Sequence, residues 1–484
     1  MSEKKKMNIG KTLGIDLGTT NSVITLYDGD KQEYIPIPSL EGDPIVPSVF
    51  YMKENIVRVG NKAREEIKLN PHNVITSVKS KIDSPRHRYE IKDGIKNLAD
   101  GMTQSKKLTP IEVSTYILKY IKVCAEEYIG EPIEDVVITV PAYFREVERK
   151  STSLAASNAG LNLIEIINEP TSACLAYGYA NSKDDEEKNI LVYDLGGGTF
   201  DVTYLNMSPE VYEVLATDGM KVGGDDIDLA FLEYVKGKTN IGTATEKQAK
   251  FIVEEAKKKL SYEKEVELDF SEFKGDKLKV TQTTFERVIS PIVNKTISRV
   301  LNLIEMHEKV DEVVLVGGST RIPLVRRRLT EVLDLPKNYF DKYKVDPDLA
   351  VSIGACVRGR IILGDTDIHL IDRTPFDLGV EQDDGTLYPI IKRGSVIPTE
   401  GYSTFGTAHE DVNKVEIRVY QGNSMIATDN QYLGLIKIDL DPSLAKKVKF
   451  KVAFKLDISG VLTVEVLNLL SREKQEVKVT GVVE

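Results

Sequence analysis

Two glycine-rich turns in this sequence each follow an apolar run and carry an aspartate in the same place. The first lies in LGIDLGTTNSVITLYD (13–28) and the second in VYDLGGGTFDVTYL (192–205). Glycines let backbone N–H groups approach phosphate oxygens closely, and carboxylates are ligands that magnesium prefers. The shared design predicts a duplicated domain with a phosphate-binding hairpin in each half. A tight turn without any ligand explains either copy alone, but it explains the pair less well.

Candidate phosphate and magnesium contacts follow from these turns. The first turn offers Asp16, Gly18, Thr19 and Thr20. The second offers Asp194, Gly196, Gly197, Gly198, Thr199 and Asp201. A Walker-type loop is not the source of phosphate binding, because the GKT strings at 10–12 and 237–239 lack the glycine required five residues earlier.

A third turn and a charged helix face are candidates for contact with a nucleoside. The turn GGSTR (317–321) follows the apolar run VVLV, and its glycines would let base and ribose lie against the backbone. Arg321 would stack on adenine. The predicted helix FIVEEAKKKLS (251–261) places four polar residues on one face, namely Glu254, Lys257, Lys258 and Ser261. A solvated ion-pair face explains the same spacing.

The chain changes character along its length. Up to about residue 365, apolar β-runs alternate with amphipathic helical stretches, which indicates α/β architecture. From about Thr374, runs such as KKVKFKVAFKLD (446–457) alternate apolar and polar residues at period two, which predicts an all-β sandwich. The short segment between them carries Ile368, Leu370 and Ile371, so we expect it to dock in at least one state rather than act as a polar connector.

Composition excludes several classes of function. With 41% hydrophobic and 29% charged residues over 484 positions, the chain is typical of a soluble globular protein of several domains. A net charge of -11 argues against nucleic acid as a partner. We expect no membrane span, signal peptide or metal-binding histidine cluster, and we expect a cytoplasmic location. The three cysteines lie far apart in apolar contexts and are expected to be buried thiols: Cys124, Cys174 and Cys356.

Five strings, in their order and spacing, resemble the seventy-kilodalton heat-shock chaperones of the DnaK type: GIDLGTTNS, VITVPAYF, IINEPTSACLAYG, VYDLGGGTFDV and VVLVGGSTRIPLV. The resemblance covers nearly the whole chain. It implies an actin-like, ribonuclease H-like duplicated ATPase domain at 1–364, a linker at 365–373 and a β-sandwich peptide-binding domain at 374–484. It also implies a stress-response chaperone that hydrolyses ATP to ADP and phosphate and thereby controls its affinity for exposed apolar, extended segments of unfolded proteins.

The resemblance implies roles for individual residues of the ATPase domain. Lys79 matches the catalytic lysine and Glu169 the ATP-sensing glutamate, and Asp194, Thr199 and Asp201 complete the catalytic group. Asp16, Asp194 and Asp201 would hold magnesium, mostly through water, with potassium as a further cation. The remaining nucleotide contacts would be Gly18, Thr19, Thr20, Gly196, Gly197, Gly198, Glu254, Lys257, Lys258, Ser261, Gly317, Gly318, Ser319, Arg321 and Asp348.

Peptide binding and communication between the domains are implied in the same way. The peptide channel would be lined by Val380, Phe405, Ala408, Val415 and Ile417, although ordinary sandwich core is an alternative interpretation of each. Nucleotide state would be relayed by Pro141 and Arg149 and by the linker residues Ile368, Leu370 and Ile371. The implied partners are unfolded polypeptides, a J-domain cochaperone and a nucleotide-exchange factor.

Four features depart from the family pattern. Gln382 and Asp383 stand where an apolar arch usually covers the peptide, and His369 interrupts an otherwise apolar linker. Glu165 stands where DnaK-type members carry a basic residue that meets J-domains, so we expect weakened or redirected recruitment. The sequence ends at Glu484, before the position of the family's helical lid.

Two other functions fit parts of the sequence. A sugar or acetate kinase shares the actin-like fold and the hairpins, but it would not need the β-sandwich. A regulatory or filament-forming ATP-binding protein would use the β-domain for one specific partner. Stimulation of ATP turnover by short apolar peptides distinguishes both from a chaperone.

Overall fold

The computed structural model describes residues 12–84, 86–96, 103–133, 135–180, 186–307, 309–341, 345–406, 414–439, 449–472 and 474–477. Over these ranges the chain is mixed α/β as far as its last helix and all-β beyond it, as the alternating patterns predict. No helix within the described ranges has the length and apolar character needed to span a membrane.

The strands and helices are numbered in chain order. The strands are β1 Leu13–Leu17, β2 Asn21–Asp28, β3 Glu33–Pro36, β4 Val46–Pro47, β5 Phe50–Lys53, β6 Ile56–Val59, β7 Val74–Ile75, β8 Tyr89–Lys96, β9 Thr103–Leu108, β10 Asp135–Val140, β11 Asn162–Asn168, β12 Lys188–Leu195, β13 Phe200–Met207, β14 Val211–Met220, β15 Glu265–Asp269, β16 Lys277–Thr281, β17 Glu312–Val316, β18 His369–Arg373, β19 Asp377–Glu381, β20 Leu387–Ile391, β21 Val396–Ile397, β22 Thr399–Gly406, β23 Lys414–Gly422, β24 Gln431–Asp439, β25 Lys449–Leu456, β26 Leu462–Asn468 and β27 Lys474–Val477. The helices are α1 Asn61–Leu69, α2 Pro110–Ile129, α3 Glu146–Asn158, α4 Glu169–Ala180, α5 Gly224–Lys236, α6 Glu246–Leu260, α7 Gln282–Ile304, α8 Pro323–Val332 and α9 Ala350–Ile362.

Local sequence sets the start of the helices that matter for the site. Thr245 caps α6 by accepting a hydrogen bond from Gln248 N, and the Gln248 side chain accepts one from Thr245 N. Thr109 and Glu112 form the same reciprocal arrangement at the start of α2. Such capping boxes satisfy backbone N–H groups that have no partner within the helix. They therefore define where each helix begins.

Lobe I is the part built on the sheet of order β11-β10-β1-β2-β3, with β4 beside β2. Strand β1 is parallel to β10 and antiparallel to β2, so its turn to β2 lies at the end of a parallel pair. The core beneath this sheet includes Ile15, Leu26, Ile117 and Val136, all fully buried.

Lobe II is built on the sheet of order β17-β12-β13-β14-β18-β21. Strand β12 is parallel to β17 and antiparallel to β13, which repeats the pairing of β1 with β10 and β2. The predicted duplication of a strand–turn–strand unit therefore has a counterpart in the pairing of the two sheets. The separate core of lobe II includes Tyr193, Phe231, Phe285 and Val253.

The sandwich is the C-terminal part, in which two four-stranded sheets of order β20-β19-β23-β24 and β22-β25-β26-β27 face each other. Along β25 the side chains of Phe450, Val452, Phe454 and Leu456 are buried, and the residues between them are more exposed. The alternation arises because successive side chains of a strand point to opposite faces. These buried residues pack with Leu378 and Val419 of the other sheet in one core.

Candidate functional site

The two glycine turns meet at the cleft between the lobes. Gly197 touches the β1–β2 turn so closely that a Cβ atom at this position would overlap Thr20 Oγ1. A Cβ on Gly198 would lie 3.2 Å from Thr19 Oγ1. Glycine at 197 thus allows the two turns to approach each other with their backbones, and both turns line one small cavity with Asp16, Lys79 and Asp194.

Three carboxylates lie next to these turns, of which Asp194 and Asp201 are buried and Asp16 is half-buried. Asp16 Oδ1 accepts a hydrogen bond from Thr139 Oγ1 at 3.2 Å, and Asp201 Oδ1 accepts one from Tyr143 N at 3.1 Å. Burial and the nearby charge of Glu169 raise the pKa of Asp16 to about 7 and the pKa of Asp201 to about 8. The same two causes raise the pKa of Asp194 well above its ordinary value. The site therefore favours a cation among these groups.

A magnesium ion fits this surplus of negative charge. Asp201 Oδ2 is buried and has no hydrogen-bond partner, although buried oxygens normally have one. No group of three or more His, Cys, Asp and Glu side chains in the described ranges has the spacing to hold a metal ion directly. The family resemblance implies an ion held mostly through water by Asp16, Asp194 and Asp201, and this stays a prediction.

Lys79 provides positive charge beside the carboxylates. Its Nζ lies 2.5 Å from Glu169 Oε1, and the two side chains are only 5% and 11% exposed. Lys79 belongs to a short 3₁₀ turn that follows Ser77, a residue in the left-handed conformation with φ of 53°. Glu169 is the first residue of α4. Strained backbone at such a position is commonly a feature of functional sites.

A cavity of about 340 Å³ lies above the phosphate turns and is lined by both lobes. Its walls include many of the predicted nucleoside contacts: Glu254, Lys257, Lys258, Ser261, Gly318, Ser319, Arg321 and Asp348. Gly317 has φ of +80°, and a Cβ there would lie 2.5 Å from Leu195 O, so the turn requires glycine. Arg321 Nη2 donates hydrogen bonds to Asp348 at 2.6 Å and Asp346 at 2.9 Å, which fixes its guanidinium at the rim.

Helix α6 also connects the two lobes above this cavity. Arg64 Nη2 of α1 lies 3.0 Å from Glu254 Oε1, and Lys247 Nζ donates to Pro71 O at 2.9 Å. Phe251 packs on a lobe I cluster that consists of Val49, Tyr51, Ala63, Ile67 and Val74. The ion-pair interpretation of this helix face and the nucleoside interpretation are therefore compatible, because Glu254 lines the cavity and is paired across the cleft.

The linker extends the sheet of lobe II. Strand β18 runs parallel to β14, with Tyr212 opposite Leu370 and Glu213 opposite Ile371. Ile368 and Leu370 pack on a buried cluster of the two-lobed part, whereas His369 is exposed. The histidine that interrupts the apolar linker thus points away from the docking face, since side chains alternate along a strand.

Arg149 lies at the junction of the two-lobed part and the sandwich. Its guanidinium donates to Phe144 O at 3.2 Å, to Asn168 Oδ1 at 2.6 Å and to Ser459 O of the sandwich at 3.2 Å. Pro141 is buried directly after β10, and its carbonyl accepts a hydrogen bond from Phe144 N at 3.0 Å. The two predicted relay residues are therefore connected through Phe144.

The predicted peptide contacts divide into two groups. Val380 and Ile417 are buried in the sandwich core, at 3% and 8% exposure. Phe405 and Val415 are half-buried at its margin, and the ring of Phe405 lies 5.6 Å from that of Tyr388. Ala408 lies outside the described residues.

Glu165 is not on an open surface. It is 5% exposed and forms an ion pair with Arg358, with Nε and Oε1 2.8 Å apart. The expectation that Glu165 weakens or redirects J-domain recruitment stays a prediction, and in this arrangement of linker and sandwich the side chain is buried.

Comparison with protein families agrees with the sequence motifs. A family model described as "Hsp70 protein" matches residues 12–483. The chain belongs to the Hsp70 family. Hsp70 proteins are ATP-binding chaperones with ATPase activity, an actin-like domain and a β-sandwich, so membership supports a general role in protein folding. The domain limits and the roles of individual residues stay predictions for this Hsp70 chain.

Sequence reasoning missed most of the contacts between the parts of this Hsp70. Asp372 accepts hydrogen bonds from Asn168 Nδ2 at 2.9 Å and Thr171 Oγ1 at 3.2 Å. Glu146 Oε2 accepts one from Leu462 N at 3.0 Å. The partners lie more than two hundred positions apart, so spacing gave no signal. A charged residue next to an apolar linker, as in LIDRTP, was the one available clue for Asp372.

Proposed function

We propose that this Hsp70 protein is an ATP-driven chaperone in which nucleotide in the interlobe cleft controls how the sandwich holds extended apolar segments of unfolded proteins. The observation that carries the proposal is strand β18. It pairs with β14 of lobe II on one side and with β21 of the sandwich on the other. A change in lobe position therefore acts directly on the sheet that joins the two parts.

The proposed reaction is phosphoryl transfer from ATP to water. Backbone N–H groups of both turns, with the hydroxyls of Thr19, Thr20 and Thr199, would bind the phosphates. Lys79 would stabilise charge on the γ-phosphate, and Glu169 would orient Lys79 through their 2.5 Å contact. Little covalent chemistry is required of the protein, so positioning and charge account for the rate.

Asp16, Asp194 and Asp201 would hold magnesium through water, and potassium is a further cation that the family resemblance implies. Bound magnesium supplies positive charge that lowers the repulsion between phosphates and carboxylates. Gly196, Gly197 and Gly198 leave room beside these acids, because the β12–β13 turn carries no side chain at three successive positions.

The nucleoside would occupy the 340 Å³ cavity between α6 and the GGSTR turn. Lys257 is held there by Asp228 at 2.8 Å and donates to Gly224 O at 3.2 Å. The planar guanidinium of Arg321, fixed by two aspartates, would offer a flat surface to the base.

Peptide binding is assigned to the sandwich with Val380, Phe405, Ala408, Val415 and Ile417 as contacts. Backbone pairing with an extended peptide, together with one apolar pocket, gives broad specificity. J-domain cochaperones and exchange factors are the proposed partners, and the cytoplasm is the proposed location. A regulatory ATP-binding protein with one specific partner is the alternative.

Steady-state ATP turnover by the full chain tests the proposal. Short Leu-rich peptides should raise turnover several-fold, and peptides of the same length with acidic and polar residues should not. Asp194→Asn should lower turnover on the order of 10²-fold, the scale for loss of one preorganised electrostatic group. Turnover that no apolar peptide changes would favour the regulatory alternative.

A further inference from the structure

A buried ion pair lies behind the linker of this chain. Arg358 of α9 donates two hydrogen bonds to Glu165 of β11, from Nε to Oε1 at 2.8 Å and from Nη2 to Oε2 at 2.9 Å. The two side chains are 8% and 6% exposed. A bidentate arginine–carboxylate pair of this kind is strong and has a fixed geometry.

The linker and the sandwich cover this pair. Glu165 and Arg358 line a small cavity together with Leu370 and Asp372 of the linker and with Ile458 of the sandwich. Beside them, Ser459 Oγ accepts a hydrogen bond from Ile166 N at 3.1 Å. Because the covering residues belong to the linker and the sandwich, docking of these two parts removes the ion pair from solvent.

The carboxylates around this junction carry more negative charge than the Arg358 guanidinium alone can balance. Burial raises the pKa of Glu165, and the carboxylates of Asp372 and Asp457 raise it further. Asp372 is half-buried in the same cavity, where desolvation raises its pKa and the Arg149 guanidinium opposes that rise. Without Arg358, Glu165 would lose its counter-charge and face Asp372, whose own counter-charge is Arg149.

We propose that Arg358 is a positioning residue for interdomain docking: its guanidinium supplies the counter-charge that lets Glu165 be enclosed beside Asp372 when the linker and the sandwich dock. The role is asymmetric. Loss of Arg358 leaves the Glu165 carboxylate facing Asp372, whereas Glu165→Gln keeps an oxygen that can accept a hydrogen bond from Arg358 and leaves the Arg358 charge in the cavity that Asp372 also lines. An incomplete buried pair is far less favourable than a complete pair or an uncharged one. Control of docking by nucleotide rests on the proposed function, but docking itself does not.

Hydrogen–deuterium exchange of the linker peptide 366–374 in the full chain, with and without ATP and magnesium, tests this role. His369 N donates to Glu210 O at 2.6 Å in the docked strand, so docking slows exchange. Arg358→Gln should speed linker exchange at least tenfold, and Glu165→Gln less than threefold. The double variant should return to within threefold of the parent protein. Arg328→Gln, which changes an arginine of an exposed pair, should have no effect.

Several results would contradict the role of Arg358. Parent-like exchange in Arg358→Gln would exclude it, and a double variant as fast as Arg358→Gln would show that volume matters rather than charge. A parent linker that exchanges freely in both conditions would also overturn it. Arg358→Gln and Glu165→Gln leave the nucleotide contacts themselves intact, because neither residue lines the nucleotide cavity. If linker exchange in the variants follows the expected order but ATP does not change the exchange rate, the proposed function fails and the role of the ion pair stands.

Discussion

At the residue scale, the phosphate end of the cleft carries more negative than positive charge. Asp194, Asp201 and Glu169 are buried there and Asp16 is half-buried, and Lys79 forms an ion pair with Glu169. Adding the phosphates of ATP increases the repulsion, since like charges in a site of low dielectric repel strongly. The arrangement is therefore incomplete without a bound cation.

Magnesium removal should weaken ATP binding at least tenfold. The reason is that the phosphates would meet unbalanced carboxylates, whereas adenosine carries no charge and should bind as before. Isothermal titration calorimetry of ATP and of adenosine, with magnesium and with excess chelator, measures both. An equal loss of affinity for adenosine would show that magnesium removal changes the fold of the site rather than its charge balance.

Lys79→Ala should abolish turnover and leave ATP affinity within about threefold of the parent value. Lys79 is expected to act on charge that develops on the γ-phosphate, which is a property of the transition state. Lys81→Ala, two residues further along and exposed, is the matched control. Single-turnover hydrolysis and nucleotide titration measure the two quantities. Hydrolysis by Lys79→Ala at the parent rate would remove Lys79 from the reaction.

At the element scale, α6 performs two tasks with one face. Its polar residues line the nucleoside cavity, and Lys247, Phe251 and Glu254 contact lobe I across the cleft. A nucleotide in the cavity is thus enclosed by contacts between the lobes in addition to the contacts that it makes itself. These contacts must break before the lobes separate.

Phe251→Ala should accelerate ADP release several-fold with little change in the hydrolysis step. The substitution removes the ring that packs on the lobe I cluster, so the closed arrangement of lobes loses apolar contact. Lys259→Ala is the control, because Lys259 lies on the exposed side of the same helix. Stopped-flow displacement of a fluorescent ADP analogue gives the release rate. Unchanged release would mean that lobe opening does not limit nucleotide exchange.

Leu370→Asp should undock the linker, whereas His369→Asp should not. Leu370 packs on the ATPase part and His369 is exposed, so the same new carboxylate is buried in one variant and solvated in the other. The ratio of peptide release rates with ATP and with ADP should approach one in Leu370→Asp and stay near the parent ratio in His369→Asp. Equal ratios in both variants would show that the strand face does not decide docking.

Periodicity and glycine chemistry predicted the hairpins, the third turn and the alternating sandwich strands, because these depend on residues close in sequence. The same reasoning did not decide whether the polar face of α6 binds a nucleoside or forms solvated ion pairs, because both functions use residues at i, i+3 and i+4. The cross-lobe partners of Lys247 and Glu254 belong to another part of the chain. Single-sequence patterns contain no information on such distant contacts.

At the scale of the whole molecule, the sequence predicted that an apolar linker docks but not where. Strand β18 gains its position from backbone pairing with β14, which is largely independent of side chains. Arg373 secures it by donating to Val214 O at 2.9 Å and to Gly394 O at 2.8 Å, and thus touches both parts. Likewise the local sequence gives no sign that Glu165 is buried, because the linker and sandwich residues around it, Leu370, Asp372 and Ile458, lie far along the chain.

The double pairing of β18 has a consequence for the behaviour of the protein in concentrated solution. When the linker leaves lobe II, the stretch of β14 at 211–213 becomes an open sheet edge, and β18 has unpaired N–H and C=O groups of its own. Open edges pair readily with strands of other molecules. The charges of Asp367, Asp372 and Arg373 around the apolar linker residues oppose such pairing between copies. Undocked molecules are therefore the ones most prone to pair with one another through these open strands. High protein concentration consequently favours states in which the linker is covered.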